Sequence, residues 1–194
     1  SQPMILLELS LDDIVRALIP AIYETLIMVG ISSVATVVLG LPLGVVLFVT
    51  QRGGIVANPV LSITLSTIAN ITRSIPYAIL MLSLIPFTRW LTGSSVGPIA
   101  ACVSLTIGAV PFFARLVESG LRDVQPGKVD AAHAMGSTRM QTVTKVLLPE
   151  AAPSLIAAVT TTVVTLVGYS AMAGLIGGGG LGRLAYNYGY QRFE

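Results

Sequence analysis

The residues that could do chemistry are few, and their spacing excludes most reactions. Gly177-x-Gly179-x-x-Gly182 has the pattern of a dinucleotide-binding turn, in which backbone amides cradle a pyrophosphate. It follows an apolar run, no βαβ pattern surrounds it, and no acidic ribose ligand stands about 20 residues on. A flexible exit loop is therefore expected there. The phosphate loop G-x-x-x-x-G-K-[ST] is missing: Gly127-Lys128 is followed by Val129 and lacks the upstream glycine, so any ATP must be handled by a partner chain. His133 is the single histidine, which rules out a multi-histidine metal cluster, and no Ser-His-Asp triad is apparent around it. Asp12 and Asp13 read as a solvated lead-in rather than a catalytic pair. Cys102, alone inside an apolar run, reads as a buried thiol that packs like a small hydrophobe. No enzyme active site is visible.

Arg73 is the exception, because it stands in the middle of an apolar run. A charge at the bilayer centre costs about 2.5 to 3.5 kcal/mol on insertion scales, and it usually faces a protein interior or a wet cavity. Two roles fit. Arg73 lines a substrate path, or it braces carbonyls that Pro76 frees by breaking the helix.

The elements that must position these residues follow from the solvent the composition demands. Charged residues make up 10% of the 194 residues and apolar ones 54%, with mean hydropathy +0.84. Ordinary soluble domains carry about 25% charged residues, so this chain could not cover a water-facing surface. It reads as an all-α membrane protein, and a formal charge of +2 gives no basic face for nucleic acid. Glu8, Asp12 and Asp13 ahead of the first apolar run argue against a signal peptide and for an amphipathic lead-in over residues 1–19.

Crossing about 30 Å of hydrocarbon takes roughly 20 apolar residues as helix. Four runs qualify, at about 20–50, 59–86, 96–114 and 151–176. In the first, Pro20 suits an opening turn and Arg52-Gly53-Gly54 an end, while Gly40 and Gly44 either admit a second helix or flank a kink at Pro42. Asn58-Pro59 caps and starts the second. Arg115 and Glu118 mark where the third run leaves for water. Thr160, Thr161, Thr162 and Thr165 in the fourth have hydroxyls that can bond the preceding turn or a neighbouring helix.

A polar island, Asp130–Pro149, interrupts these runs within a loop over about 115–150. Pro126-Gly127 ends what precedes it, Asp130 is a plausible helix cap, Ala131 to Met135 form a very short helix, and Gly136 closes it. Ser137 or Thr138 can cap a second short helix through Val146, after which Pro149 opens the fourth span. The result is either a rigid knob, approachable at Ala131, Ala132 and Ala134, or a solvated connector. Counting Lys and Arg with the island inside gives Arg52, Arg115, Arg122, Lys128, Arg139 and Lys145 against Arg16, Arg89, Arg183 and Arg192 outside, which favours a cytoplasmic island.

The pattern Asp130-Ala131-Ala132, Gly136 after three residues, then Val146-Leu147-Leu148-Pro149 after nine more, resembles the E-A-A-x3-G-x9-I-x-L-P loop of ABC importer permeases. Asp130 replaces the usual Glu and Val146 the usual Ile. The stretches NITRSIPYAIL (Asn70–Leu80), LTIGAVPFFARLVE (Leu105–Glu118), KVLLPEAAPSL (Lys145–Leu155), TLVGYSAMAGLIGGGGLG (Thr165–Gly182) and YNYGY (Tyr186–Tyr190) extend the likeness to the methionine importer branch over nearly the whole chain.

The resemblance implies a single permease domain, a polytopic helical bundle of the type I importer kind in the bacterial cytoplasmic (inner) membrane. It implies a homodimer enclosing the path, two cytoplasmic ATPase subunits holding ATP and Mg, and an extracytoplasmic substrate-binding protein, the whole set in lipid. Asp130, Ala131, Ala132, Met135, Gly136, Val146, Leu148 and Pro149 would form the coupling element. Arg73, Tyr169, Ser170 and Met172 are the candidates for the path and its gate. Relatives of this kind carry five spans, the last after the Tyr-Gly-Tyr stretch, so a fifth is expected to be missing from the 194 residues. A permease of the same fold for another amino acid or small solute, or a channel or scaffold without an ATPase, remains an alternative.

Overall fold

The computed structural model describes residues 11–191; positions 1–10 of the expected lead-in, with Glu8, and residues 192–194 of the expected exit loop, with Arg192, lie outside them. The described residues are helical, with no strand among them. Ten helices follow one another, labelled α1 to α10 in chain order. Backbone polar groups in hydrocarbon must be satisfied within their own segment, and the helix does this. Three helical stretches are long and apolar enough to cross a membrane: Leu11–Val49, Pro98–Arg122 and Ala152–Gly178.

α1 (Leu11–Val49) takes in the second half of the expected lead-in, so Pro20 lies inside it and not in a first turn; Pro42 is inside as well. Its 39 residues extend about 58 Å at 1.5 Å per residue, well beyond a bilayer core.

The expected second span is not one helix. Asn58 does cap α2 (Pro59–Ser74), its side chain accepting the Leu61 N–H at 3.2 Å. At Ile75 the backbone turns extended, φ −83° and ψ 123°, because the ring of Pro76 disfavours helical geometry in the residue before it. The run continues as α3 (Tyr77–Ser83) and α4 (Ile85–Thr92). Thr64, Thr67, Thr72 and Ser74 of α2 each return a hydroxyl to the carbonyl four residues back, at 2.7–2.9 Å, so this polar helix presents few open donors.

α5 (Pro98–Arg122) runs past the expected exit point and contains Pro111. Three short helices follow, α6 (Pro126–Ala134), α7 (Arg139–Thr142) and α8 (Leu148–Glu150), then α9 (Ala152–Ala173), in which Thr160, Thr161 and Thr162 bond the carbonyls one turn back at 2.8–3.0 Å as expected. A π-helical turn (Gly174–Gly178) leads to α10 (Gly180–Tyr186).

Two compact units are present. One consists of Ser33–Ile75 and Ile107–Val164. Its core is Phe113, Val117, Leu121, Leu147, Ala151 and Ala158, with Val37, Leu41 and Val45 of α1 packed against it. Here the Gly40–Gly44 spacing finds its use. A β-carbon on Gly40 would sit 2.6 Å from the Phe113 ring, and one on Gly44 would sit 2.6 Å from Val117 Cβ and 2.7 Å from the Ala114 carbonyl. The close approach is therefore between α1 and α5 of the same chain. The other unit comprises 11–32, 76–106 and 165–191 among the described residues, and buries Met28, Leu105, Leu166 and Ala173.

Gly44→Leu is expected to lower stability by about 1 to 3 kcal/mol, the usual range for overpacking. Gly30→Ala, with nothing within 4 Å of the added carbon, should be close to neutral. Thermal unfolding of both variants in detergent, monitored by circular dichroism, compares them.

Candidate functional site

The island folds as a closed knob. α6 (Pro126–Ala134) starts earlier than expected, because Pro126 has the φ of a first helical residue and opens a helix instead of ending one. Asp130 therefore lies inside α6 and caps nothing; it is exposed. Gly136 closes the helix at φ +82°, with its N–H on the His133 carbonyl and the Ser137 N–H on the Ala132 carbonyl, each at 3.0 Å. These are the two bonds of a Schellman motif, which needs a left-handed residue between them.

Thr138 caps α7 (Arg139–Thr142) by a reciprocal box. Its hydroxyl accepts from the Gln141 N–H at 3.2 Å, and the Gln141 side chain accepts from the Thr138 N–H at 2.9 Å. A π-helical turn (Val143–Leu147) and α8 (Leu148–Glu150) lead into α9. Pro149 lies in α8, not in the first turn of the long span, which begins at Ala152. It has no N–H to return to the Lys145 carbonyl, and the turn ahead of it is widened.

The knob has an inner and an outer side. Ala132 is buried, Leu147 is 1% exposed in the core of its unit, and Val146 and Leu148 are half-buried. Ala131, His133, Ala134, Gly136 and Pro149 are exposed, and Met135 and Met140 stand out at 86% and 71%. Leu147 and Met140 carried no distinguishing signal in the sequence. Their neighbours matched a known pattern, and the inward or outward choice depends on the path of the chain. Lys128 Nζ reaches Glu150 Oε2 at 2.6 Å and closes the loop, an exposed pair worth under about 1 kcal/mol.

Next to the core stripe of α5 that holds the knob lies a cluster of charged residues expected in water. Glu118 is 6% exposed. Its carboxylate accepts from Arg115 Nη1 at 2.7 Å, Arg122 Nη2 at 2.9 Å and Gln51 Nε2 at 3.3 Å. Arg115 Nη2 donates onward to the Ser66 carbonyl at 3.2 Å and to Asn70 Oδ1 at 3.0 Å. Arg115 and Glu118 are thus not an exit into water. They sit on α5 and bind it to α2 and to the turn after α1. Taking one partner from a buried pair costs about 3 to 5 kcal/mol, whereas Arg122, 61% exposed, contributes far less.

In the other unit, Tyr169 stacks on Tyr77 with ring centroids 4.7 Å apart and planes 5° from parallel. Tyr77 is buried at the start of α3, its hydroxyl 3.0 Å from Ser104 Oγ. Ser170 is buried with its hydroxyl on the Val167 carbonyl at 2.7 Å, while Met172 is exposed. Tyr77 follows a helix-breaking proline, a signal that marked a bend but not an aromatic pair. Arg73 belongs to the loop-bearing unit, in the last turn of α2. It is exposed and makes no hydrogen bond or ion pair among the described residues, so it does not brace the Pro76 break.

The Gly-rich segment is not a flexible exit loop. Gly177, Gly179 and Gly180 take φ of +103°, +83° and +76°, and α10 follows at once. The Gly180 N–H donates to Glu24 Oε2 at 2.6 Å and the Leu181 N–H to Thr25 Oγ1 at 2.9 Å. The amides a phosphate would need are occupied by α1. Cys102 is buried, its thiol donating to the Pro98 carbonyl at 3.2 Å. No cluster of three metal-ligating side chains occurs among the described residues.

Residues 37–192 match the family described as binding-protein-dependent transport system inner membrane component. A probable D-methionine transport system permease protein, MetI, of Vibrio cholerae is 49% identical over 177 residues, which cover 91% of this chain and 79% of the relative. The D-methionine permease MetI of Escherichia coli K12 is 53% identical, with 81% and 72% covered. Among solved structures, the methionine ABC transporter MetNI in an inward-facing form matches with TM-score 0.89 at 52% identity, over 90% of this chain and 81% of that one. An amino acid ABC transporter at 20% identity and TM-score 0.75 shares the fold.

Gly136→Val should strain the left-handed closure by about 1 to 2 kcal/mol, whereas Gly136→Asn is better tolerated. Thr138→Ala should cost about 1 kcal/mol through loss of the cap. Amide hydrogen exchange over residues 137–147 is expected to quicken in the valine and alanine variants and to change least in the asparagine variant.

Proposed function

Because the chain belongs to the family of binding-protein-dependent transport system inner membrane components, we propose that it is the permease subunit that conducts methionine in an ATP-driven importer. The observation that carries this reading is the Asp130–Pro149 knob: two short helices, each closed by its own cap, with Met135 and Met140 exposed and Leu147 sealed below. Exposed apolar side chains on a rigid polar mount are suited to anchoring in a partner's pocket. The chain has no phosphate loop, so the force must come from that partner, a cytoplasmic ATPase that holds ATP and Mg.

In this reading two copies of the chain enclose the path and an extracytoplasmic binding protein delivers the substrate. The knob lies on the cytoplasmic side of the inner membrane, and Asp130, Ala131, Met135, Gly136 and Pro149 supply its outward face. Val146, Leu148 and Ala132 seat it. When the ATPases close, each knob is displaced and its unit moves as a body, because Leu147 and Ala151 are locked into the Phe113–Val117–Leu121 stripe of α5. Access then alternates by population shift between two arrangements. Tyr169, held flat against Tyr77, with Ser170 and Met172 near it in sequence, forms the gate. Arg73, exposed on α2, lines the path. Support for methionine as substrate comes from the relatives, named for D-methionine transport.

Proteoliposomes holding the permease and its ATPase, supplied with the binding protein, should take up labelled methionine only when ATP is present inside; absence of that uptake overturns the substrate assignment. Met135→Glu should weaken ATPase association by at least about tenfold, the loss expected on removing an apolar anchor. Unchanged co-purification of the ATPase would overturn the docking role.

A further inference from the structure

We infer that Glu118 is a positioning residue for transport, holding α2 to α5 so that α2 follows when the coupling knob displaces α5. The inference rests on the permease reading above and adds to it a residue between the knob and the helix that carries Arg73.

α5 presents two adjacent stripes. Phe113, Val117 and Leu121, four residues apart, pack with Leu147 and Ala151 at the base of the knob. Arg115, Glu118 and Arg122 form a second stripe, with Glu118 one residue and so about 100° round from Val117. The first stripe receives motion through apolar packing. The second passes it on through charge-assisted bonds, from Glu118 Oε2 to Arg115 and from Arg115 Nη2 to Ser66 and Asn70 of α2.

α2 needs such a tether. Ala69 is its buried residue, and most of its other side chains are exposed within the chain. It is cut from α3 at Ile75-Pro76, and its start is reached through a turn in which Gln51 also bonds Glu118. Apolar packing would let α2 slide along α5. Bonds of set length and direction from a guanidinium that a buried carboxylate holds in place do not. A hydrophobic pair could match the stability of this cluster, so the ionic arrangement is explained better by the orientation it imposes than by the energy it adds.

The test uses the permease–ATPase complex in proteoliposomes with the binding protein, reading methionine taken up per ATP hydrolysed. Glu118→Gln is expected to lower that ratio at least about tenfold, within the usual range for coupling between sites. Asn70→Ala, which removes an exposed acceptor and leaves the core intact, should lower it about threefold, the worth of one hydrogen bond. In parallel, spin labels at the exposed Thr67 and Ser119 should keep one narrow separation through the nucleotide cycle in the otherwise unmodified chain and a broadened one in both variants. A ratio and a distance distribution unchanged in Asn70→Ala overturn the inference, whether or not Glu118→Gln assembles. If the unmodified complex takes up no methionine, the substrate assignment fails, and the distance measurement still decides the role of Glu118.

Discussion

A polar group in hydrocarbon must find its partner inside the protein, and nearly every feature of this chain answers to that requirement. The backbone meets it by being mostly helical over the described residues. Most hydroxyls of α2 and α9 meet it by bonding back to the preceding turn, which lets sequences rich in Thr and Ser lie among apolar residues with few open donors. Glu24 meets it by taking the amide of Gly180 at the start of α10. Glu118 meets it with Arg115, Arg122 and Gln51. In each tertiary case the solution ties together elements that are distant in sequence, so satisfying a polar atom also determines where a helix sits.

Glycine and proline decide the approach and the interruption of those helices. Gly40 and Gly44 let α1 lie against Phe113 and Val117 at a distance no side chain would allow. Pro76 ends α2, Pro126 opens α6 and Pro149 accompanies a widened turn. The same residue type therefore stops, starts or distorts a helix, according to whether the N–H it lacks would have been used. The knob between the last two is held by local bonds at Gly136 and Thr138 and by apolar packing centred on Leu147. It can be stiff without being large.

Much of the candidate site could be read from the residues because it depends on local rules. The Gly136 closure, the Thr138 cap and the Asn58 cap arise from bonds between residues a few positions apart; the first and last were expected where they occur, and Thr138 is one of the two residues expected, with Ser137, to cap its helix. The failures have a common origin. Arg115 and Glu118 looked like a boundary because charge usually means water; Glu118 is buried and Arg115 half-buried because Ser66, Asn70 and Gln51 come from other segments to receive them. Asp130 looked like a cap because it precedes alanines, but Pro126 had already begun the helix. The glycines at 177–180 looked flexible because nothing in sequence reveals that Glu24 and Thr25, more than 150 residues earlier, bind their amides.

By itself the sequence determined the solvent, the helical class and the Gly136 closure of the knob, since composition and short-range spacing carry these. Only the tertiary structure decided which face of the knob is open, that the Gly40–Gly44 spacing serves α1 and α5 of one chain, that Tyr169 is matched by Tyr77, and that Glu118 is the hub of a buried ionic cluster. The physical reason is one of range. Hydropathy and caps act within a turn or two of helix, whereas the neutralisation of a buried charge depends on which distant helix is brought within about 3 Å of it.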